Sequence, residues 1–559
     1  MANEQPKGTS AWSPLQHSFF RALWLASVVS NIGTWMQNVG AAWLMTSLTP
    51  SPTLVALVQA VTSLPVFFAA LPAGALADVV DRRRLLLWTQ GWMLVAAAML
   101  GALTLLGRTS PGALLTLTFA LGLGAAMNAP AWQAIIQELV PLRELPVAVA
   151  LNSVGFNLAR AVGPALGGLV VAAAGTGAVF LLNAASFLGV MVVLCRWQPV
   201  PRESALPAEH VLGAMQAGMR YVRYAPALQA LLMRAGVFIL GGSALWALLP
   251  LLAQNQLGLD ASGYGVLLGC LGVGAVAGAA LLPRARQRVS ADLLIAGATV
   301  LFATVLLTLA FLRQVVLLCA AMSMAGVAWM VLTSTFNVTA QTVVPAWVRA
   351  RALAVYLLVF NGGMAAGSVL WGVVAARVGT PMALVSAAVG LILGLTVMRR
   401  YRLVTAEALD LTPSPHWSDP PIVNIPCSDA GPVLVMVEYR IDPRQARGFA
   451  AAMHALRVVR RRDGAIRWGV YGDVADPGRY IETFVVASWA EHLRQHERMT
   501  MSDRAVQQRA RAFHIGDAPP AVAHLVSAYA MPGPLPESTQ LQMFATSQTT
   551  DHFPIKSLP

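Results

Sequence analysis

Charge is what this sequence lacks first. Only 11% of its 559 residues are Asp, Glu, Lys or Arg, against about 25% in soluble globular proteins. The deficit lies between residues 19 and 402, where no Asp or Glu falls in the middle of an apolar run. A buried carboxylate proton carrier is therefore not visible. Cysteine is scarce too: Cys195, Cys270, Cys319 and Cys427 show neither paired nor metal-ligand spacing, which supports neither a disulfide framework nor a metal site. No Gly-x4-Gly-Lys-Ser/Thr loop is present, so ATP-driven pumping is unsupported. The first twenty residues lack an apolar core bounded by a cleavage site, and no removable signal peptide is expected. No cofactor is implied.

What is there instead is apolar length. Twelve runs, at about 20–47, 53–77, 85–106, 112–138, 146–173, 177–195, 228–253, 262–283, 291–312, 315–343, 350–376 and 380–398, are each long enough to cross about 30 Å of hydrocarbon. The net charge of +13 sits in short loops between these runs, which argues for a lipid bilayer as partner and against nucleic acid. Loops 2–3, 4–5, 6–7, 8–9 and 10–11 hold thirteen arginines, whereas the opposite loops hold only Arg108, Arg313 and Arg377. The excess of positive charge predicts that both termini are cytoplasmic. An amphipathic stretch in the longest internal loop, around 210–225, reads as lying along the membrane surface.

Displacing the chain by 204 residues superposes its two halves without a gap. Gly74, Arg82, Gly122, Pro141, Asn157, Gly163, Gly168 and Gly175 fall on Gly278, Arg286, Gly326, Pro345, Asn361, Gly367, Gly372 and Gly379. Two six-helix repeats in the same orientation follow. Positions shared by both halves read as scaffold, and unshared ones as candidates for function. Asp78, Arg160 and Pro164 are opposite Leu282, Met364 and Ser368.

The loop after the second run carries Gly74, Leu76, Ala77, Asp78, Arg82 and Arg83. It resembles the major facilitator signature G-x-L-A-D-R-x-G-R-K, with Val79 and Asp81 departing from it. The resemblance implies a gating role for Gly74, Asp78, Arg82 and Arg83. The fifth run carries Gly163, Pro164, Gly167 and Gly168 and resembles the antiporter signature of exporting members, with Ala159 in place of the first glycine. Glycines allow close helix approach, and proline bends a helix by removing a backbone bond. The stretch from Asn128 to Gly168 is similar to the subfamily that contains the enterobactin exporter and macrolide efflux proteins. The likeness covers roughly residues 15–400 and implies export of small amphipathic molecules, of drug or siderophore type, by proton antiport at a bacterial inner membrane.

Polar residues inside the runs mark a candidate substrate cavity: Asn31, Trp35 and Asn38 on the first, Asn128 and Gln133 on the fourth, Asn157 and Arg160 on the fifth. A charge at mid-membrane is costly and functional by default. With no mid-span carboxylate to pair with Arg160, a negative group on the substrate is one partner, and a carbonyl freed by Pro164 is another.

After residue 402 ordinary charge returns. A proline-rich linker, 403–431, leads to a domain at 432–530 whose order β-α-β-β-α-β is ferredoxin-like. With Trp489, His492 and His496 on one helix it resembles the antibiotic-biosynthesis-monooxygenase type of dimeric α/β barrel, which implies dimerisation through this domain. The two histidines lack a third ligand, and a solvated helix face is their expected setting. The remaining expected divisions are a cytoplasmic tail 1–18, six-helix halves 19–196 and 228–402, a cytoplasmic central loop 197–227, and a disordered tail 531–559. The fold class is thus an all-α membrane protein of twelve helices with an appended α+β domain, and the function a secondary transporter rather than an enzyme. Two alternatives stand beside simple export: a transporter whose soluble domain is itself a cofactor-free monooxygenase-like enzyme, and a lipid flippase.

Overall fold

The computed structural model describes residues 12–141, 143–197, 211–401, 410–414, 430–516 and 518–527. Most of the expected linker, part of the central loop and the tail after 531 lie outside the described residues. The described residues fall into two compact units.

The first unit is helical: α1 (Ser18–Leu48), α2 (Pro52–Val79), α3 (Arg82–Leu105), α4 (Pro111–Leu139), α5 (Leu145–Arg196), α7 (Pro226–Leu251), α8 (Ala261–Arg288), α9 (Ala291–Phe311), α10 (Val315–Thr342), α11 (Arg349–Val378) and α12 (Thr380–Arg400). An amphipathic α6 (Val211–Tyr224) precedes α7. At 52 residues, α5 would run about 78 Å if straight, more than twice a bilayer core. Gly175 divides it: with φ 81° and ψ 169° it takes a backbone conformation open almost only to glycine. Its repeat mate Gly379, at φ 84°, turns the chain between α11 and α12 in the same way. Among the described residues nine helices are long and apolar enough to cross a membrane. With α5 counted as two segments, and with α1 and α12 added, the twelve expected spans are all helical. By mean hydropathy α1 falls outside those nine because its polar residues, Asn31, Gln37 and Asn38 among them, dilute it.

Side-chain caps start several helices. Asp81 accepts from the backbone N–H of Arg84 at 2.9 Å, so one of the two residues that depart from the signature is the N-cap of α3. Asp260 and Ser290 cap α8 and α9 likewise.

The two halves meet at equivalent glycines. A Cβ on Gly168 would stand 2.5 Å from the Ala261 carbonyl oxygen and 2.8 Å from Gly265 Cα, which fixes the crossing of α5 and α8. On its repeat mate Gly372 a Cβ would stand 2.6 Å from Ala56 Cβ, at the crossing of α11 and α2. In the C-terminal half, Phe238, Phe302, Trp329 and Phe336 form a buried aromatic core, Phe238 lying 5.5–6.2 Å from the other three ring centroids.

The second unit is a four-stranded antiparallel sheet of order β2-β3-β1-β4, built from β1 (Val433–Arg440), β2 (Arg467–Gly472), β3 (Arg479–Val486) and β4 (Ala521–Val526). With α13 (Ala446–Asp463) between β1 and β2, this is the ferredoxin-like arrangement expected. The second helical segment differs from expectation in being broken into α14 (Trp489–Arg498) and α15 (Met501–Arg511). Thr500 and Asp503 form a capping box there, each side chain accepting from the other's backbone N–H. Beside the core of Tyr439, Phe449 and Phe484, the fully buried Glu482 accepts from Arg460 Nε and Trp468 Nε1, each at 3.0 Å. The unit also contains Leu212–Pro226 and Pro345–Val348.

Candidate functional site

Among the described residues, helices of the first unit enclose a cavity of about 700 Å³ and another of about 520 Å³. They share the walls of Thr34, Met93, Gln133 and Phe187. Asn38 and Gln133 line the larger, where the C-terminal half adds Asn337, Gln341 and Tyr356. Asn31, Asn128, Gln133 and Asn157 line the smaller, with Trp132 and Phe156 as aromatic walls. Five of the seven residues read from the sequence as a substrate cavity therefore line one. Among the described residues no Asp, Glu, Lys, Arg or His lines either cavity. The interior is thus one of amides and hydroxyls between apolar and aromatic surfaces.

Not every amide there is free to meet a ligand. Asn128 Oδ1 accepts from Thr89 Oγ1 at 3.0 Å and from Gln90 Nε2 at 3.4 Å, tying α4 to α3. Asn157 donates to the Ser153 carbonyl one turn back, at 2.9 Å. Gln37 and Asn183 pair with each other in the core of the N-terminal half. Asn337 and Gln341 were not evident from the sequence, although their spacing of four puts both on one helix face.

Trp35 and Arg160 stand apart from the lining residues. The Arg160 guanidinium carbon is 5.7 Å from the Trp35 ring centroid and 6.0 Å from that of Trp246 on α7. Its Nε is buried and has no hydrogen-bond partner among the described residues. A cation over indole faces is stabilised by the ring quadrupole, by roughly 0.5–2 kcal/mol as it is desolvated. Trp246 is itself packed edge-on against Trp329 at 5.5 Å. The pairing was illegible in the sequence, because Trp246 is distant along the chain and one tryptophan among fifteen.

The fifth-span glycines face different helices. A Cβ on Gly163 would meet Trp35 Cβ at 2.6 Å and the Ile32 carbonyl at 3.1 Å; one on Gly167 would meet Met36 Cα at 2.8 Å. Gly163 and Gly167 thus seat α1, and Gly168 seats α8. Pro164 supplies no N–H to the carbonyl of Arg160, four residues earlier.

In the signature loop the side chains of residues 74–79, including Asp78, lie outside the described set. The arginines are placed. Arg82 pairs with Glu138 at the end of α4. Arg83 donates to the carbonyls of Leu194 at 3.0 Å and Cys195 at 2.6 Å, capping the C-terminal end of α5. In the second half Arg286 donates to Ser334 Oγ at 3.2 Å. A further ion pair, Arg234 with Asp292, links α7 to α9, with Arg234 fully buried. Asp292 begins its helix, so scanning spans for central carboxylates passed over it.

The soluble unit corrects one expectation. His492 is buried rather than on a solvated face. Its ring centroid lies 4.9 Å from that of His496 and 4.8 Å from that of His524 on β4, with Trp489 at 5.5 Å. Burial, with His496 and His524 adding to it, pushes the His492 pKa down to about 3. Among the described residues, no group of three or more His, Cys, Asp or Glu side chains is arranged to hold a metal ion.

A family model described as transmembrane secretion effector matches residues 9–532. The enterobactin exporter of Shigella boydii serotype 4 (strain Sb227) is 27% identical over 263 residues, which is 47% of this chain and 62% of that protein. The enterobactin exporter of Shigella flexneri is 28% identical over the same length. The chain thus matches about three fifths of the length of these relatives. Among solved structures, a bacterial homolog of the human lysosomal transporter Spinster, inward-facing and unoccupied, gives a TM-score of 0.58 at 14% identity, covering 70% of this chain and 98% of that one. The nucleoside transporter NupG gives 0.56 at 13% identity, covering 69% and 100%. At these identities the structures share the fold.

Proposed function

The chain belongs to the transmembrane secretion effector family of major facilitator transporters, and we propose that it exports small amphipathic molecules of drug or siderophore type by alternating access. The observation that carries this reading is the larger cavity, walled by α1 to α5 of one half and α10 and α11 of the other. A cavity shared by two repeats is emptied to either side when they rock against each other. Its lining offers hydrogen bonds from amides and contact with Met93, Phe187 and Tyr356. That suits a molecule with several polar groups on an apolar or aromatic frame. The enterobactin exporters among its relatives support export and a siderophore-like cargo.

Proton uptake is the coupling reaction of this reading. It rests on the likeness of Gly163, Pro164, Gly167 and Gly168 to the antiporter signature; among the described residues no Asp or Glu lines either cavity. The arginine distribution supports cytoplasmic termini. The exposed Val522 and Leu525 on edge strand β4 support pairing of two copies through the soluble domain. Everted vesicles given an inward-acid pH gradient and a catecholate siderophore test the reading. Accumulation several-fold above vesicles without the protein, abolished by a protonophore, is expected. Accumulation equal to that of empty vesicles across a panel of siderophores and lipophilic drugs would refute it.

A further inference from the structure

Helix α6 and the one-turn helix Ala346–Val348 come from loops 6–7 and 10–11 of the transporter, yet both belong to the soluble unit. Their contacts are specific. Arg220 on α6 pairs with Glu491 of α14 at 2.7 Å. Arg498 reaches the same Glu491 oxygen at 2.7 Å, donates to the Asp463 carbonyl at 2.8 Å, and sets its guanidinium 4.5 Å over the Trp347 ring. Trp347 meets the buried Tyr221 edge-on at 5.7 Å. On the other side Arg462, held by Asp463 at 2.8 Å and Asp503 at 2.7 Å, lies 5.5 Å from the Tyr221 ring.

The repeat shows what is unusual here. At the offset of 204, Tyr221 and Val348 correspond to His17 and Glu144. In the N-terminal half His17 Nε2 and the Glu144 carboxylate lie 3.1 Å apart, joining the segment before α1 directly to the turn before α5. The C-terminal half makes the corresponding junction, from the segment before α7 to the turn before α11, through Tyr221 and Trp347. There Arg462, Glu491 and Arg498 of the soluble domain close around it. Trp347 has no counterpart, its repeat position being Arg143.

We propose that the soluble domain is a clasp on two segments of the transporter's own loops. Its surface of Arg462, Glu491 and Arg498 recognises α6 and the Ala346–Val348 turn and holds them together, and because the chain runs on from them into α7 and α11, it ties the first turns of those helices to each other. Buried arginine–carboxylate and arginine–tryptophan contacts are costly to leave half-made, so these first turns move together while the clasp is closed. The two helices begin one residue or less after the clasped segments, at Pro226 and Arg349. The clasp acts through the starts of α7 and α11, whatever the cargo.

Hydrogen exchange of the full-length protein in lipid nanodiscs tests it, comparing wild type with Trp347→Ala and Glu491→Ala. Residues 218–224 should exchange at least tenfold faster in both variants. Residues 226–232 and 349–355 should accelerate at least threefold in step. The repeat-equivalent residues 22–28 and 145–151, secured by His17 and Glu144, should stay at wild-type rates. Trp347 lies outside the sheet domain's own sequence, so that variant decides the matter even if Glu491→Ala loosens the domain. Unchanged exchange of 218–224 in Trp347→Ala would overturn the clasp. Acceleration of 218–224 alone, without 226–232 and 349–355, would overturn the coupling of α7 to α11.

Discussion

The guanidinium of Arg160 on α5 stands 5.7 Å from the ring of Trp35 on α1, and Trp246 of α7 flanks it at 6.0 Å. The charge bridges the two halves through indole faces, and among the described residues it lines neither the larger nor the smaller cavity. It therefore reads as a brace between halves. Arg160→Gln should lower transport of anionic and neutral compounds alike, by about tenfold for a loss of roughly 1–2 kcal/mol. Vesicle transport of matched anionic and neutral compounds checks this, and a loss confined to the anionic ones would assign Arg160 to the cargo instead.

Asp78→Asn should reduce transport at least tenfold while leaving insertion in the membrane at wild-type levels. Asp78 has no counterpart in the second half, where Leu282 stands, and it shares its loop with Arg82 and Arg83, which grip the ends of α4 and α5. Vesicle transport beside a surface-labelling assay of insertion checks it; full transport by the variant would remove Asp78 from gating.

Gly168→Ala should destabilise the fold by roughly 1–3 kcal/mol, the usual cost of overpacking. The new methyl would meet the Ala261 carbonyl at 2.5 Å, backbone that has no rotamer to yield. A lower midpoint of thermal unfolding in detergent is the expected result. Gly189→Ala, where a methyl meets nothing within 4 Å, should hold or raise the midpoint, since alanine is the better helix former.

The soluble domain should lose stability in acid through His492. Its folded pKa of about 3 lies below the ordinary 6.5, so protons bind the unfolded chain first. Its contribution is complete above about pH 6.5 and falls as pH drops toward 3, at about 1.4 kcal/mol per unit. At pH 5 the loss is roughly 2 kcal/mol. Exchange of the β1 and α13 amides in the full-length protein should reveal this slope, and His492→Gln should flatten it.

Much of this was legible in the chain because each piece has a local signature. Twelve apolar runs mark twelve segments, and Gly175 with Gly379 mark the same turn twice. The capping box of Thr500 and Asp503 was equally local, although the long helical run masked it. What escaped were choices among partners. An amphipathic helix such as α6 presents the same periodicity to a lipid surface and to a protein surface, so Arg220 could not be assigned to Glu491. His492 and His496 share a helix face whether that face is wet or buried under β4. The cavity's N-terminal amides were readable as polar breaks in apolar runs. Arg160 was readable as a costly charge and Trp35 as a candidate wall, but their pairing with each other and with Trp246 was not, because nothing local says which helices face one another.

Export by alternating access requires the larger cavity to open in turn to each side of the membrane. Asn337→Cys and Gln133→Cys, in a chain whose Cys195, Cys270, Cys319 and Cys427 are replaced by Ser, report on it from opposite walls. Each is exposed to a membrane-impermeant thiol reagent from one side of oriented vesicles, with and without a pH gradient. Both positions should label from either side, and the gradient should shift the labelling rates for the two sides in opposite directions. Labelling of both positions from one side only, under every condition, would contradict alternating access.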